Sequence, residues 1–226
     1  MHVNELHRRL AERYPLRQEI IRLANRNIDI TVVVDPDQFL DELSKEENDG
    51  ALRLPYWAYL WPSSIALARH LDQMDSLKSQ RVLEIGCGFG VSGIVASQGG
   101  GRVLFTDYEK DALMFAQYNV LQNRCAERAS FAQMDWNTPC LKGQFARILA
   151  ADVVYEEKNW KPILALIQKH LALDGTAIIA EPNRANADGF FDLLARRGFT
   201  SEVFGYTALL EEDPSTITVY CVKREN

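Results

Sequence analysis

A chain of 226 residues with 47% hydrophobic and 25% charged residues has an ordinary globular composition, with length for one α/β domain plus an extension. A formal net charge of −6 and a pI near 5.3 argue against a broad phosphate-binding surface, so nucleic acid is disfavoured as a partner. No run approaches the roughly 18 apolar residues of a membrane span, and the charged N-terminus MHVNELHRRLAERY lacks the apolar core of a secretion signal. Cys87, Cys125, Cys140 and Cys221 show no CxxC spacing, and His2, His7, His70 and His170 no mutual spacing. The expectation is therefore reduced thiols in a cytoplasm, with no disulfide frame and no metal site.

In chain order, residues 3–27 carry helical periodicity: Leu6, Leu10, Ile20, Ile21 and Leu23 recur among charges, with a break at Pro15. Ile28–Val34 reads as a strand, punctuated by Asp35-Pro36-Asp37. A short helix is expected over Asp37–Leu43, then an exposed loop through SKEENDG. The aromatic run LPYWAYLWPSS, Leu54–Ser64, precedes an amphipathic helix, IALARHLDQM. From Arg81 the chain alternates. Strand-like runs at Arg81–Gly86, Arg102–Asp107, Ser130–Asp135, Phe145–Tyr155 and Thr176–Glu181 are mostly separated by helical stretches near Val91–Gln98, Lys110–Gln122 and Trp160–Leu171. Asn186–Arg197 reads as a further helix with Gly198 as its C-cap. Thr200–Tyr206 and Thr216–Lys223 are expected to form an antiparallel pair. This pattern predicts an α/β fold, a doubly wound and mostly parallel sheet covered on both faces.

Ligands of such sheets bind at the carboxyl ends of the strands. At that edge the run RVLEIGCGFG, Arg81–Gly90, ends a strand in Gly86-Cys87-Gly88-Phe89-Gly90 before a helix. Glycines there let the backbone turn sharply and approach a ligand. Glu84 lies inside the strand, where a charge is costly unless paired. Asp107 ends the next strand, as a ribose-binding acid does, and a carboxylate accepts hydrogen bonds from both hydroxyls of a ribose. A dinucleotide reading is weighed against this. Gly88-Phe89-Gly90-Val91-Ser92-Gly93 formally matches GxGxxG, but the strand ends at Gly86, and counted from there the sixth position is Val91.

Glu84-x-Gly86-x-Gly88-x-Gly90 with Asp107 resembles the first motif and ribose acid of class I methyltransferases dependent on S-adenosyl-L-methionine. LPYWAYLWPSS, Met134-Asp135-Trp136 and Ala151-Asp152-Val153-Val154-Tyr155 extend the likeness to the seven-strand protein-lysine methyltransferases of the family-16 type, including those of the electron transfer flavoprotein beta-subunit. The resemblance covers Leu54 to the C-terminus. It implies a seven-stranded Rossmann-like sheet with an antiparallel last strand over residues 51–226, preceded by an N-terminal extension of helices and a short strand over residues 1–50.

It also implies S-adenosyl-L-methionine as cofactor and S-adenosyl-L-homocysteine as product. Trp61 would line the pocket, Glu84, Gly86 and Gly88 would surround the methionine part, and Cys87 would also contact the cofactor. Asp107 would take the ribose, with Tyr108, Asp135 and Trp136 at the adenine. Ala151 would border the cofactor, and Asp152 and Tyr155 would stand beside the transferable methyl group as the catalytic pair. No Asn/Asp-Pro-Pro-Tyr/Phe motif of base-methylating enzymes is present; Asp152-Val153-Val154-Tyr155 stands in its place. A protein lysine is the expected acceptor, with a small molecule, another protein side chain or non-catalytic binding as alternatives. Glu181-Pro182-Asn183-Arg184 is expected at the acceptor entrance, with Arg184 meeting an acidic patch on a partner. The first 50 residues are expected to form a lid, a docking surface or a cover for the sheet edge.

Overall fold

The computed structural model describes residues 3–38, 55–185, 187–210 and 213–225. Most of the helix expected over Asp37–Leu43, the SKEENDG run and Leu54 lie outside the described residues.

β3 (Arg81–Ile85), β4 (Arg102–Asp107), β5 (Ala129–Gln133), β6 (Phe145–Ala151), β7 (Leu171–Glu181), β8 (Phe199–Leu210) and β9 (Asp213–Arg224) build one seven-stranded sheet in the order β5-β4-β3-β6-β7-β9-β8. The first five are parallel in register, and β9 runs antiparallel to both β7 and β8. The expected doubly wound sheet with an antiparallel last strand is thus present. β3 and β6 meet side by side at the point where strand order reverses, which opens a crevice at their carboxyl ends.

Period-two alternation sorts the core into two layers. Val82, Val103, Phe105, Leu149 and Ile178 face a cluster that includes Ile65 and Leu67 of α2 (Pro62–Gln73), Ile94 of α3 (Val91–Gln98) and Phe115 of α4 (Lys110–Gln122). Leu83, Ile85, Ile148, Ala150 and Ile179 face Ile163 and Ile167 of α5 (Glu157–His170) and Phe190 of α6 (Asp188–Ala195). Helices on both faces explain why the central strands read as continuous apolar runs.

The N-terminal region departs from expectation. α1 (Val3–Ala11) is helical, but Leu16–Arg22, read as helix, is strand β1, paired antiparallel with β2 (Asn27–Val33) in a separate two-stranded sheet. Ile20 and Ile21 fit either period over so short a run, and the cross-strand partners decide it. The described part of this region lies against helices α3 and α4. Leu6, Leu10, Ile28, Ile30 and Val32 are buried in the same cluster as Val82 and Phe105.

The contact is specific. The side-chain amide of Asn119 accepts from Thr31 N (2.9 Å) and donates to Thr31 O (3.2 Å); Asn123, one turn on, does the same for Asp29 N (3.1 Å) and O (2.7 Å). Two side chains of α4 thereby satisfy the outer backbone edge of β2, which would otherwise be left unpaired. Asn119 also donates to Phe89 O in the glycine-rich loop at 3.0 Å.

Candidate active site

The glycine-rich loop leaves β3 with positive φ at Gly86 (61°) and Gly88 (50°), a backbone path that residues with a Cβ rarely take. A Cβ at Gly86 would stand 3.1 Å from Val153 Cγ1 and 3.5 Å from the Trp136 ring. Asp107, at the end of β4, ties the loop down. Its Oδ2 accepts from Gly88 N and its Oδ1 from Glu109 N, both at 2.9 Å. Burial pushes the Asp107 carboxyl up to about 6, against the pull of the Glu109 and Gly88 amides.

A cleft of about 520 Å³ opens above this loop. The carboxyl ends of β3, β4 and β6 and the segment after β5 meet there. Of the residues singled out in the sequence, Trp61, Gly86, Gly88, Asp107, Tyr108, Asp135, Trp136, Ala151, Asp152 and Tyr155 line it. Trp61 precedes α2, where Pro62 starts the helix, and its indole donates to Tyr56 O at 2.8 Å. Asp135 braces its own turn, accepting from the backbone and side-chain nitrogens of Asn137 at 2.8 and 2.7 Å.

Glu84 and Cys87 are not on the cleft wall. Both are buried, Glu84 within β3 and Cys87 within the loop itself. Glu84 Oε1 accepts from Gly93 N at 3.1 Å while Oε2 has no partner among the described residues. Burial, only partly offset by that amide, raises the Glu84 carboxyl to about 8. Burial likewise pushes the Cys87 thiol well above its ordinary value.

Asp152 carries a left-handed backbone (φ 58°), held by its N–H to Ala180 O at 2.9 Å. Its side chain is 4% exposed. Arg184, expected to face a partner, turns inward instead: its guanidinium pairs with Asp152 Oδ1 and lies 3.4 Å from Glu181 Oε1. Desolvation there opposes the cation, but hydrogen bonding to Asp152 and the charges of both acids outweigh it and raise the Arg184 pKa. Burial also raises the Glu181 carboxyl. Tyr155 is pushed up to about 12 by burial first and the Glu156 charge second, so its hydroxyl stays protonated.

Sequence reasoning passed over Glu109, Asn137, Glu156, Lys158 and Asn159, which also line the cleft. It also missed Asn119 and the inward turn of Arg184. A buried asparagine one helical turn after Phe115 was the available signal for Asn119, since an unpaired amide is costly on an apolar face. Only the backbone path after β7 reveals the turn of Arg184.

A family model described as "Lysine methyltransferase" matches residues 53–197. The chain is 30% identical over 168 residues to EEF1A lysine methyltransferase 3 of Mus musculus, covering 72% of each. It is 35% identical over 127 residues to histidine protein methyltransferase 1 homolog of Dictyostelium discoideum, where the match covers 54% of this chain and 41% of the relative's length. Among solved structures, N-methyltransferase NodS from Bradyrhizobium japonicum WM9 in complex with S-adenosyl-l-homocysteine shares the fold, with a TM-score of 0.58 at 18% identity over 82% of this chain and 97% of that one.

Proposed function

The chain belongs to the lysine methyltransferase family, and on that premise we propose that it moves a methyl group from S-adenosyl-L-methionine to the side-chain amine of a lysine in a protein. The observation that carries this reading is the meeting of Asp107, the glycine bend and the Asp152–Tyr155 pair on one cleft. The cleft suits a nucleoside with an amino acid tail. Asp107 accepts from Gly88 N on Oδ2 and from Glu109 N on Oδ1, and the lone pairs of a carboxylate leave acceptor capacity for a hydroxyl. Gly86 and Gly88 leave the floor clear of side chains, and Trp61, Tyr108 and Trp136 offer aromatic walls. Glu84 contributes from below, holding the start of α3 through Gly93 N.

The cofactor supplies an already activated methyl group on a sulfonium. The protein's task is to bring a nitrogen lone pair into line, and such positioning supplies about 7–11 kcal/mol of a barrier. A lysine ammonium has no lone pair at pH 7, and freeing one costs about 4–5 kcal/mol. Asp152 receives the ammonium and Tyr155 offers a neutral hydroxyl beside it. Desolvation in the cleft then lowers the amine's pKa, and its proton leaves to water. Methyl transfer forms the N–C bond as the S–C bond breaks, its electron pair remaining on sulfur.

We divide the chain into an extension, residues 1–50, and a methyltransferase domain, residues 51–226, folded as one unit through their common core. Four free cysteines, three of them buried, support a reducing compartment such as the cytoplasm. Among the described residues no helix is long and apolar enough to cross a membrane.

The test is labelled S-adenosylmethionine incubated with the protein and lysate of a strain lacking its gene. The expected result is a labelled protein band with methyl-lysine by mass spectrometry. Asp152→Ala should remove the label while calorimetric affinity for S-adenosylhomocysteine stays within about threefold, a gap under about 0.7 kcal/mol. Label confined to small metabolites, to histidine, or undiminished in the variant defeats the reading.

A further inference from the structure

Two buried carboxylates, Asp152 and Glu181, share one guanidinium at the end of β6 and β7. Arg184 takes Asp152 Oδ1, and its backbone N–H donates to both oxygens of Glu181 at 3.2 and 3.0 Å. Asp152 Oδ2 is buried and has no hydrogen-bond partner among the described residues. Such an orphaned oxygen is costly, and one that persists at a cleft wall asks for a donor.

From this we infer that Arg184 is a specificity-determining positioning residue: it commits one oxygen of Asp152 and leaves the other as a single-oxygen receptor for an alkylammonium, to the exclusion of a guanidinium. The inference rests on the methyl-transfer reading above and names the acceptor chemistry of the same site. Three features support it. A guanidinium gains its advantage over an ammonium by meeting both carboxylate oxygens with a planar fork, and here one is already taken. An ammonium is a compact point donor that needs only one oxygen, and it is the smaller head to bring to a buried atom. Two carboxylates against one guanidinium also leave one negative charge, which a single incoming cation neutralises.

The probes are n-butylammonium and n-butylguanidinium, titrated by ligand-observed NMR into the free protein and into the protein saturated with S-adenosylhomocysteine. The wild type should bind the ammonium at least tenfold more tightly, and Asp152→Asn should lose that binding. Arg184→Met should narrow the ratio to within threefold with S-adenosylhomocysteine affinity unchanged, while Arg184→Lys, which keeps a cation on Oδ1, should retain most of it. A merely structural role for Arg184 would weaken both probes alike. Because Arg184→Met leaves two acids uncompensated and could fail to fold, a wild-type crystal with n-butylammonium provides a second reading. There the nitrogen should lie on Asp152 Oδ2 with Arg184 still on Oδ1. Equal binding of the two probes, binding of neither, an unchanged ratio in Arg184→Met, or release of Arg184 by the ammonium would overturn the inference. Failure of the protein to bind S-adenosylhomocysteine would instead sink the methyl-transfer reading, and the probe ratio in the free protein would still decide this one.

Discussion

Two buried acids set how the site responds to pH, in different ways. Glu84, raised to about 8 from an ordinary 4.5, holds a proton in the folded state across a window where the unfolded chain has released it. Stability therefore falls as pH rises from about 4.5 to about 8. Glutamine does not titrate, so the melting temperature of Glu84→Gln should gain on the wild type between pH 5 and pH 9; parallel curves would count against the burial argument. Asp107, raised to about 6, must be ionised to serve fully as the hydroxyl acceptor of the proposed ribose site. Affinity for S-adenosylhomocysteine should then weaken by up to about tenfold per pH unit below about 6, as calorimetry at pH 5 and 7.5 would read. A flat profile would remove Asp107 from the ribose role. Both acids were legible in the sequence because each stands at a strand position where a charge needs a reason. Their division of labour was not, since Glu84 lies under the loop and Asp107 on the cleft, and strand spacing alone does not tell floor from wall.

At the level of elements, α3 contains a glycine that works against helix propensity and is required all the same. A Cβ at Gly93 would stand 2.7 Å from Phe105 Cζ and closer still to Phe105 Cε1 and Glu84 Oε2. Alanine, normally the better helix former by about 1 kcal/mol, should here destabilise by about 1–3 kcal/mol through overpacking. Urea denaturation of Gly93→Ala gives the sign directly, and a stabilised variant would refute the packing account. The sheet and its helices were readable because alternation from Arg81 onward leaves little choice of period; β4, α3 and α4 fall on their expected bounds. Ends were harder. β6 stops at Ala151, four residues before the apolar run does, because Asp152 turns left-handed there. β7 begins at Leu171, five residues before its expected start, as Phe145 pairs with Leu171 across an irregular register. β1 was misread for want of its partner, which no local pattern supplies.

For the molecule as a whole, the extension and the sheet share one hydrophobic layer. Leu10, fully buried against that layer, should cost about 2–5 kcal/mol when cut to alanine. The loss should appear in one cooperative transition followed by both far-ultraviolet circular dichroism and tryptophan fluorescence. Separate transitions for the extension and the remainder would contradict a common core. The topology was foreseeable from alternation and the glycine-rich loop, whereas the seat of the extension was not, because it depends on two asparagines meeting one strand. That seat has a further consequence. Four residues of helix and two of strand advance by similar lengths, about 6.0 and 6.6–6.8 Å, so Asn119 and Asn123 act as a vernier against Thr31 and Asp29. A single-residue insertion in β2 would throw the scale off by half a division, turning Ile28 and Ile30 outward and unseating the amide that also grips Phe89. Variation at the far end of the chain is thereby coupled to the bend on which the nucleoside would rest.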